Sequence, residues 1–299
     1  MSEPPDQRPG DEPAGPEKAL EIPKLPAVEA LVKILIQEGV EVLFGIPGSH
    51  VCPLFDAVER SGKIQIILPR HEQGAAYMAD GYARVARRMA VCAATVGPGA
   101  TNLLTGVAAA YADGIPMIVL TGQAPAAAQG KTAHQEATGL GRTPDQLALF
   151  GAVTKSSFAA IRASKIPQLM RTAFRIALNG RFGPVNVTIP SDVFYDPVPF
   201  HDTERGHYRV TRSNNVDPAL VQRAVNVIAK ADCPVILAGQ RSLFPDATRE
   251  IRDLAERFHM PVVTPLNAKG SIDEDHDLAL GCLGLVGQPA AGEYVREVA

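Results

Sequence analysis

Between Pro26 and Ile189, short continuous apolar runs alternate with segments whose apolar residues recur at helical spacing, and this alternation limits the fold most. Strand-like runs cover 40–46, 64–68, 89–95, 117–121, 153–161 and 185–189. Helical spacing fills 27–38, 51–59, 71–87, 98–112, 144–150 and 167–179. The first helix opens after Pro26 and stops at Gly39, the usual proline-first, glycine-last order. Strands that are apolar throughout belong in a parallel sheet covered by helices on both faces. Right-handed crossovers then bring every carboxyl end to one edge, where open α/β sheets build ligand sites. The expected fold is therefore α/β, a doubly wound parallel sheet of six strands over residues 27–193.

The flanks differ. Residues 1–26 are rich in Pro, Glu and Asp, lack the basic start and apolar core of a signal peptide, and read as a disordered tail. Residues 194–215, with Tyr195, Pro197, Pro199 and His201, read as an exposed linker. A second α/β unit starts at 216, with helices at 217–230 and 246–258 and strands at 234–238 and 261–264. Up to 299 it has too few strands for a doubly wound domain, which normally needs five or six, and so reads as incomplete. No apolar run reaches the roughly 20 residues of a membrane helix. A net charge of -3 gives no case for nucleic acid or an anionic membrane as partner. The four cysteines, Cys52, Cys92, Cys233 and Cys282, are far apart and form no Cys-x-x-Cys pair. They point to buried thiols in a reducing cytoplasm, with no metal site of their own.

The chemistry-bearing strings sit where the strands end. Arg70-His71-Glu72-Gln73-Gly74 follows the second strand, so Glu72 opens a helix at the sheet edge. An acid there also suits the positive end of a helix, whatever its function. Phe44-Gly45-Ile46-Pro47-Gly48-Ser49-His50 closes the first strand, and its glycines let backbone approach a flat ring. Thr95-Val96-Gly97-Pro98-Gly99-Ala100-Thr101-Asn102 closes the third; alone, it could be an anion site or simply a tight turn. Thr132-Ala133-His134-Gln135-Glu136 lies on the polar loop after the fourth.

Together these strings resemble the N-terminal half of thiamine-diphosphate-dependent enzymes of the acetolactate synthase and benzaldehyde lyase type: the pyrimidine-binding domain and the start of a Rossmann-like central domain. The resemblance implies thiamine diphosphate as cofactor, with Glu72 as the carboxyl that activates its aminopyrimidine. It assigns Ile46, Pro47, Gly48, Pro98 and Asn102 to cofactor contacts, and Ser49, His50, His134 and Gln135 to the substrate side. His50 and Gln135 are similar to the polar pair of benzaldehyde lyase and are expected to act in catalysis with Glu72. The implied reaction decarboxylates a 2-oxo acid and adds the resulting enamine to a carbonyl acceptor. Two positions depart from the acetolactate synthase pattern: Ser191 stands where a lysine is common, and Ala126, Ala127 and Ala128 lack the usual arginine.

Complete enzymes of this kind bind the diphosphate through Mg2+ on a third domain that opens with Gly-Asp-Gly, a string absent here. Their sites lie between subunits. The expectation is a split enzyme: a second subunit supplies the rest of the central domain and the diphosphate-Mg2+ domain, and the chain pairs with itself within a hetero-oligomer. A shortened or degenerate copy is the other account. Some relatives also carry FAD in the central domain, and no residue pattern here supports one. A 2-oxo acid decarboxylase subunit and a non-catalytic regulatory paralogue are the alternative functions.

Overall fold

The computed structural model describes residues 22–209, 216–244 and 247–298. In chain order the first unit runs β1 (Lys24–Pro26), α1 (Ala27–Gln37), β2 (Val42–Gly45), α2 (Cys52–Ser61), β3 (Gln65–Ile67), α3 (Glu72–Ala86), β4 (Ala90–Ala94) and α4 (Pro98–Asp113). It continues through β5 (Met117–Gln123), α5 (Gln146–Ala152), β6 (Ser156–Ala159), α6 (Ile166–Leu178), β7 (Pro184–Pro190) and β8 (Pro197–Pro199). Six of these strands form one parallel sheet in the order β3-β2-β4-β5-β7-β6, as the apolar runs predict.

The two cores explain those runs. Leu43, Val91, Ala93, Ile118, Leu120, Val185 and Val187 point to one face, under α1, α2 and α6. Phe44, Ala90, Cys92, Ala94, Met117 and Val119 point to the other, under α3, α4 and α5. Successive strand residues thus enter opposite cores, so both sets are mainly apolar, and the buried polar ones, Thr121, Gln123, Asn186 and Thr188, are hydrogen-bonded.

Helices α3 and α4 pack through small side chains, with Ala75, Ala76, Ala79 and Ala83 of α3 against Gly99, Ala100, Gly106 and Ala110 of α4. A methyl placed on Gly106 would fall 2.6 Å from Ala76 Cβ and 3.1 Å from the Tyr77 nitrogen. Arg84 ties the pair at its far end, reaching Asp80 at 2.7 Å and Asp113 at 2.6 Å.

Both flanks of the first unit depart from expectation. Most of the expected tail lies outside the described residues, but its last three residues form β1, paired antiparallel with β8 from the expected linker. The linker is not exposed throughout: Phe194, Val198 and Phe200 are buried in the first core, and the Arg171 guanidinium donates to His201 O at 2.7 Å. Proline-rich strands lack ladder donors and show no alternation, so composition concealed this pair. Tyr208 and Arg209 engage the buried Glu38 beyond it; residues 210–215 lie outside the described residues.

The second unit contains α7 (Pro218–Ile228), β9 (Ile236–Leu237), α8 (Thr248–Phe258), β10 (Val262–Pro265), β11 (Ala279–Leu283) and α9 (Pro289–Glu293). Its sheet is parallel in the order β11-β10-β9, over a small core of Ala238, Ala255, Val262 and Ile272. Strand β11 went unrecognised in the sequence because Gly281, at φ +93°, interrupts its apolar run. No helix among the described residues is long and apolar enough to cross a membrane.

The α3–α4 packing is directly testable. Gly106→Leu must push the helices apart, and overpacking of this kind costs about 2 kcal/mol. The thermal unfolding midpoint, followed by circular dichroism, is expected to drop by roughly 4–8 °C. An unchanged midpoint would mean that the helices do not meet at Gly106.

Candidate active site

The parallel sheet places the carboxyl ends of β2, β3, β4, β5 and β7 along one edge, and all four strings singled out in the sequence lie there. Glu72 is the first residue of α3, with His71 as its cap: His71 Nδ1 accepts the Gln73 N–H at 3.2 Å. The Glu72 side chain turns towards α4, where Asn102 Nδ2 donates to its Oε2 at 3.0 Å. A methyl on Gly99 would lie 3.3 Å from the other oxygen, Oε1, and 2.9 Å from Thr95 Cγ2. A methyl on Gly48 would lie 2.6 Å from Thr95 Cβ. Gly48, Thr95, Gly99, Asn102 and Glu72 therefore form one closely packed cluster, in which the two missing side chains let the turn after β2 and the start of α4 approach Thr95. The Thr95 hydroxyl is buried and has no hydrogen-bond partner among the described residues.

His50 lies one turn away, 7% exposed, its Cβ packed against Gly122 at the end of β5. Its Nδ1 pairs with Ser49 Oγ at 3.0 Å. Burial, and secondarily the nearby His134, lowers its pKa from the usual 6.5, so the ring is neutral near pH 7. His134 is exposed; Gln135 is partly exposed and adopts the left-handed φ of +55°. The Gln135 carbonyl abuts Gly97, where a methyl would fall 2.9 Å from it. His50 is thus near His134, and Gln135 touches the turn that leads to Asn102. Ile46, Pro47 and Pro98 sit on the two flanking turns, Pro47 and Pro98 exposed.

The two departures from the resembled pattern come together in space. Asp192, beside Ser191, accepts the Ala126 N–H at 3.0 Å, so Ser191 and the Ala126–Ala128 turn are neighbours. Lys131 caps this turn through Nζ to Ala127 O at 3.0 Å, which gives the strip a cation the sequence comparison overlooked.

Sequence reasoning also missed the buried amides that hold the edge together. Gln146 accepts the Gly97 N–H at 3.3 Å and donates to Thr121 Oγ1, Gly122 O and Thr188 Oγ1 at 3.0, 3.1 and 3.2 Å. Asn186 extends the network to Val119 O and Thr121 Oγ1. A lone Gln or Asn in a sequence carries no sign of such partners. Burial with every polar atom satisfied marks them as structural. A cleft of about 410 Å3 lined by Arg87, Met89, Pro116 and Phe182 lies at the opposite edge of the sheet and contains none of these residues.

Comparisons with known proteins cover both units. Residues 26–149 match the family described as thiamine pyrophosphate enzyme, N-terminal TPP binding domain, and residues 221–298 match its central domain. A probable acetolactate synthase large subunit of Methanocaldococcus jannaschii is 42% identical over 276 residues, covering 90% of this chain and 45% of its own. An acetolactate synthase of Arthrospira platensis is 40% identical over 266 residues, covering 86% of this chain and 44% of its own. An acetolactate synthase large subunit of Corynebacterium glutamicum is 38% identical over 271 residues, covering 90% of this chain and 42% of its own. The chain spans less than half the length of these relatives.

The His50 environment yields a prediction. In histidine-selective NMR titrations His50 titrates below 6.5, and His134→Ala raises its pKa while leaving it below 6.5, because burial is the larger cause. The unfolded chain binds this proton more readily, so the group's contribution to stability falls as pH drops below 6.5. A His50 pKa at or above 6.5 would contradict the buried placement.

Proposed function

The chain belongs to the thiamine pyrophosphate enzymes of the acetolactate synthase type, and on that premise we propose that it supplies the pyrimidine-binding side of a carboligase site, which a diphosphate-binding domain of another subunit completes. The observation that carries this proposal is the Asn102–Glu72 hydrogen bond, with Gly48 and Gly99 packed on Thr95 beside it. Glycines at 48 and 99 leave backbone rather than side chain beside the carboxylate, which suits close approach of a flat aminopyrimidine ring, and the orphaned Thr95 hydroxyl supplies a polar contact. When bound, thiamine diphosphate supplies a nucleophilic carbon and an electron sink for breaking and making bonds beside a carbonyl.

The chain's own residues then divide the work. Asn102 holds Glu72 Oε2, leaving Oε1 to share a proton with the ring nitrogen of the aminopyrimidine. Ile46, Pro47, Gly48 and Pro98 contact the ring. His50, neutral because it is buried, accepts or returns a proton on the substrate side, with Ser49 orienting its ring through Nδ1. Gln135 presents its amide to the substrate, and His134 borders the same space.

Mg2+ and the diphosphate are assigned to a diphosphate-binding domain that meets this one across a subunit boundary, as in the resembled enzymes. The donor proposed is a 2-oxo acid. Ser191 and Ala126–Ala128 leave the acceptor end with Lys131 as the cation on that strip, an argument against simply transferring the acetolactate synthase acceptor. His50 supports a second function, 2-oxo acid decarboxylation, in which proton delivery ends the reaction without an acceptor.

The test is reconstitution. The chain is purified with a candidate completing polypeptide, such as the product of an adjacent gene, and given thiamine diphosphate, Mg2+ and 2-oxo acids with or without an aldehyde. Glu72→Gln is expected to lower turnover by a factor of about 10³, the scale of a lost acid–base group. Ligated product with the aldehyde supports the carboligase, and aldehyde release alone supports the decarboxylase. Turnover within a few-fold of wild type in Glu72→Gln would overturn the assignment.

A further inference from the structure

The loop from Ala124 to Asp145 contains three non-glycine residues in the left-handed region, Thr132, Gln135 and Arg142, a conformation that costs such residues energy unless the surroundings hold it. What holds Gln135 is its neighbour. Glu136 is 5% exposed, and its carboxylate turns back into its own loop. Oε1 accepts the Gly130 N–H and the Thr138 hydroxyl, both at 2.6 Å, and Oε2 accepts the Ala133 N–H at 3.3 Å. The Glu136 N–H closes the same turn by donating to Ala133 O at 3.1 Å. No cation pairs with this carboxylate among the described residues. Its charge is held by hydrogen bonds alone, chiefly those from Thr138 and Gly130, and they keep it below the usual carboxylate range.

A second clamp joins the loop to the sheet. Gln123, the last residue of β5 and 5% exposed, donates from Nε2 to Ala137 O at 2.9 Å and accepts the Ala137 N–H through Oε1 at 3.2 Å. Gln135 therefore sits between a carboxylate that closes its turn and an amide that fixes the next residue but one to the strand. On its other side its carbonyl rests on Gly97. A loop needing only to be folded could be closed by apolar packing. Two buried polar side chains spent on the backbone either side of one residue fix where that residue points.

We propose that Glu136, assisted by Gln123, is a positioning residue that sets the His134–Gln135 pair against the substrate, and so sets substrate affinity without touching substrate itself. This deepens the function proposed above and rests on Gln135 facing substrate.

The experiment is a double-mutant cycle in the reconstituted enzyme, scored by KM and kcat for the 2-oxo acid, with amide hydrogen exchange on the chain alone. Glu136→Ala is expected to raise KM about tenfold with kcat less affected, the pattern of lost binding contacts. Exchange at Gly130 and Ala133 should quicken while exchange in β4 stays unchanged. Gln123→Ala, which cuts the Ala137 clamp and the Ala124 N–H bond to the same amide but leaves Glu136 in place, should repeat the KM effect more weakly and serves if Glu136→Ala fails to fold. In a Gln135→Ala background, Glu136→Ala should add little, because coupled residues are non-additive.

A full additional tenfold loss in that background would overturn the inference, since Glu136 would then act independently of Gln135. If Gln135→Ala alone leaves KM unchanged, the substrate-side assignment of Gln135 fails and the inference fails with it. Glu72→Gln would still report on the wider function in that case.

Discussion

Helix α3 can lie close against α4 only because neither helix places a large side chain between them, and the position of Glu72 follows from that closeness. Ala76 and Gly106 meet where a single methyl would collide, and Gly99 leaves room beside Glu72 Oε1. The first turn of α3 thereby comes within reach of Asn102, which grips the carboxylate from the neighbouring helix. A larger residue at the crossing would leave the sheet intact and still displace the acid from its partner. The stability of the domain and the geometry of its site thus depend on the same few alanines and glycines.

The carboxyl-end edge of the sheet is held together differently from the helix crossing. There the strand ends are joined by buried polar groups whose bonds are all internal: Gln146 with Thr121 and Thr188, Asn186 with Val119 and Thr121, and Gln123 with Ala137. Such networks are costly if any member is missing, and for that reason they fix a single arrangement. They bring the Gly97 turn into contact with Gln135 through backbone rather than through mobile side chains. A substrate arriving at this edge would meet a surface already in place.

How far all this could be read from the sequence depends on whether the signal was local. Burial on both faces left its mark on every central strand, so the six-stranded parallel sheet was legible, whereas its strand order came only from the fold. The Pro-rich β1–β8 pair was not legible, because proline suppresses both ladder bonding and alternation. β11 was hidden by Gly281. Glu72 was legible through the string around it rather than through its own position, since any helix start tolerates an acid. His50 and Gln135 lie at the edge where their strings were expected, but their surroundings had no sequence signature: the burial of His50 beside His134, and the left-handed backbone of Gln135. Asn102 was named as a cofactor contact, whereas its bond to Glu72, 30 residues away, had no sequence signature. Gln123, Glu136 and Gln146 share that obscurity, because each is defined by partners that only the fold brings close.

The central claim is that Glu72, held by Asn102, is the acid that activates the cofactor ring. The most direct measurement is the rate at which the C2 hydrogen of thiamine diphosphate exchanges with deuterated water on the reconstituted enzyme, quenched and read by proton NMR. Wild type is expected to exchange far faster than free cofactor, Asn102→Ala more slowly than wild type, and Glu72→Gln at close to the free rate while still binding the cofactor. Exchange at the wild-type rate in bound Glu72→Gln would contradict the claim.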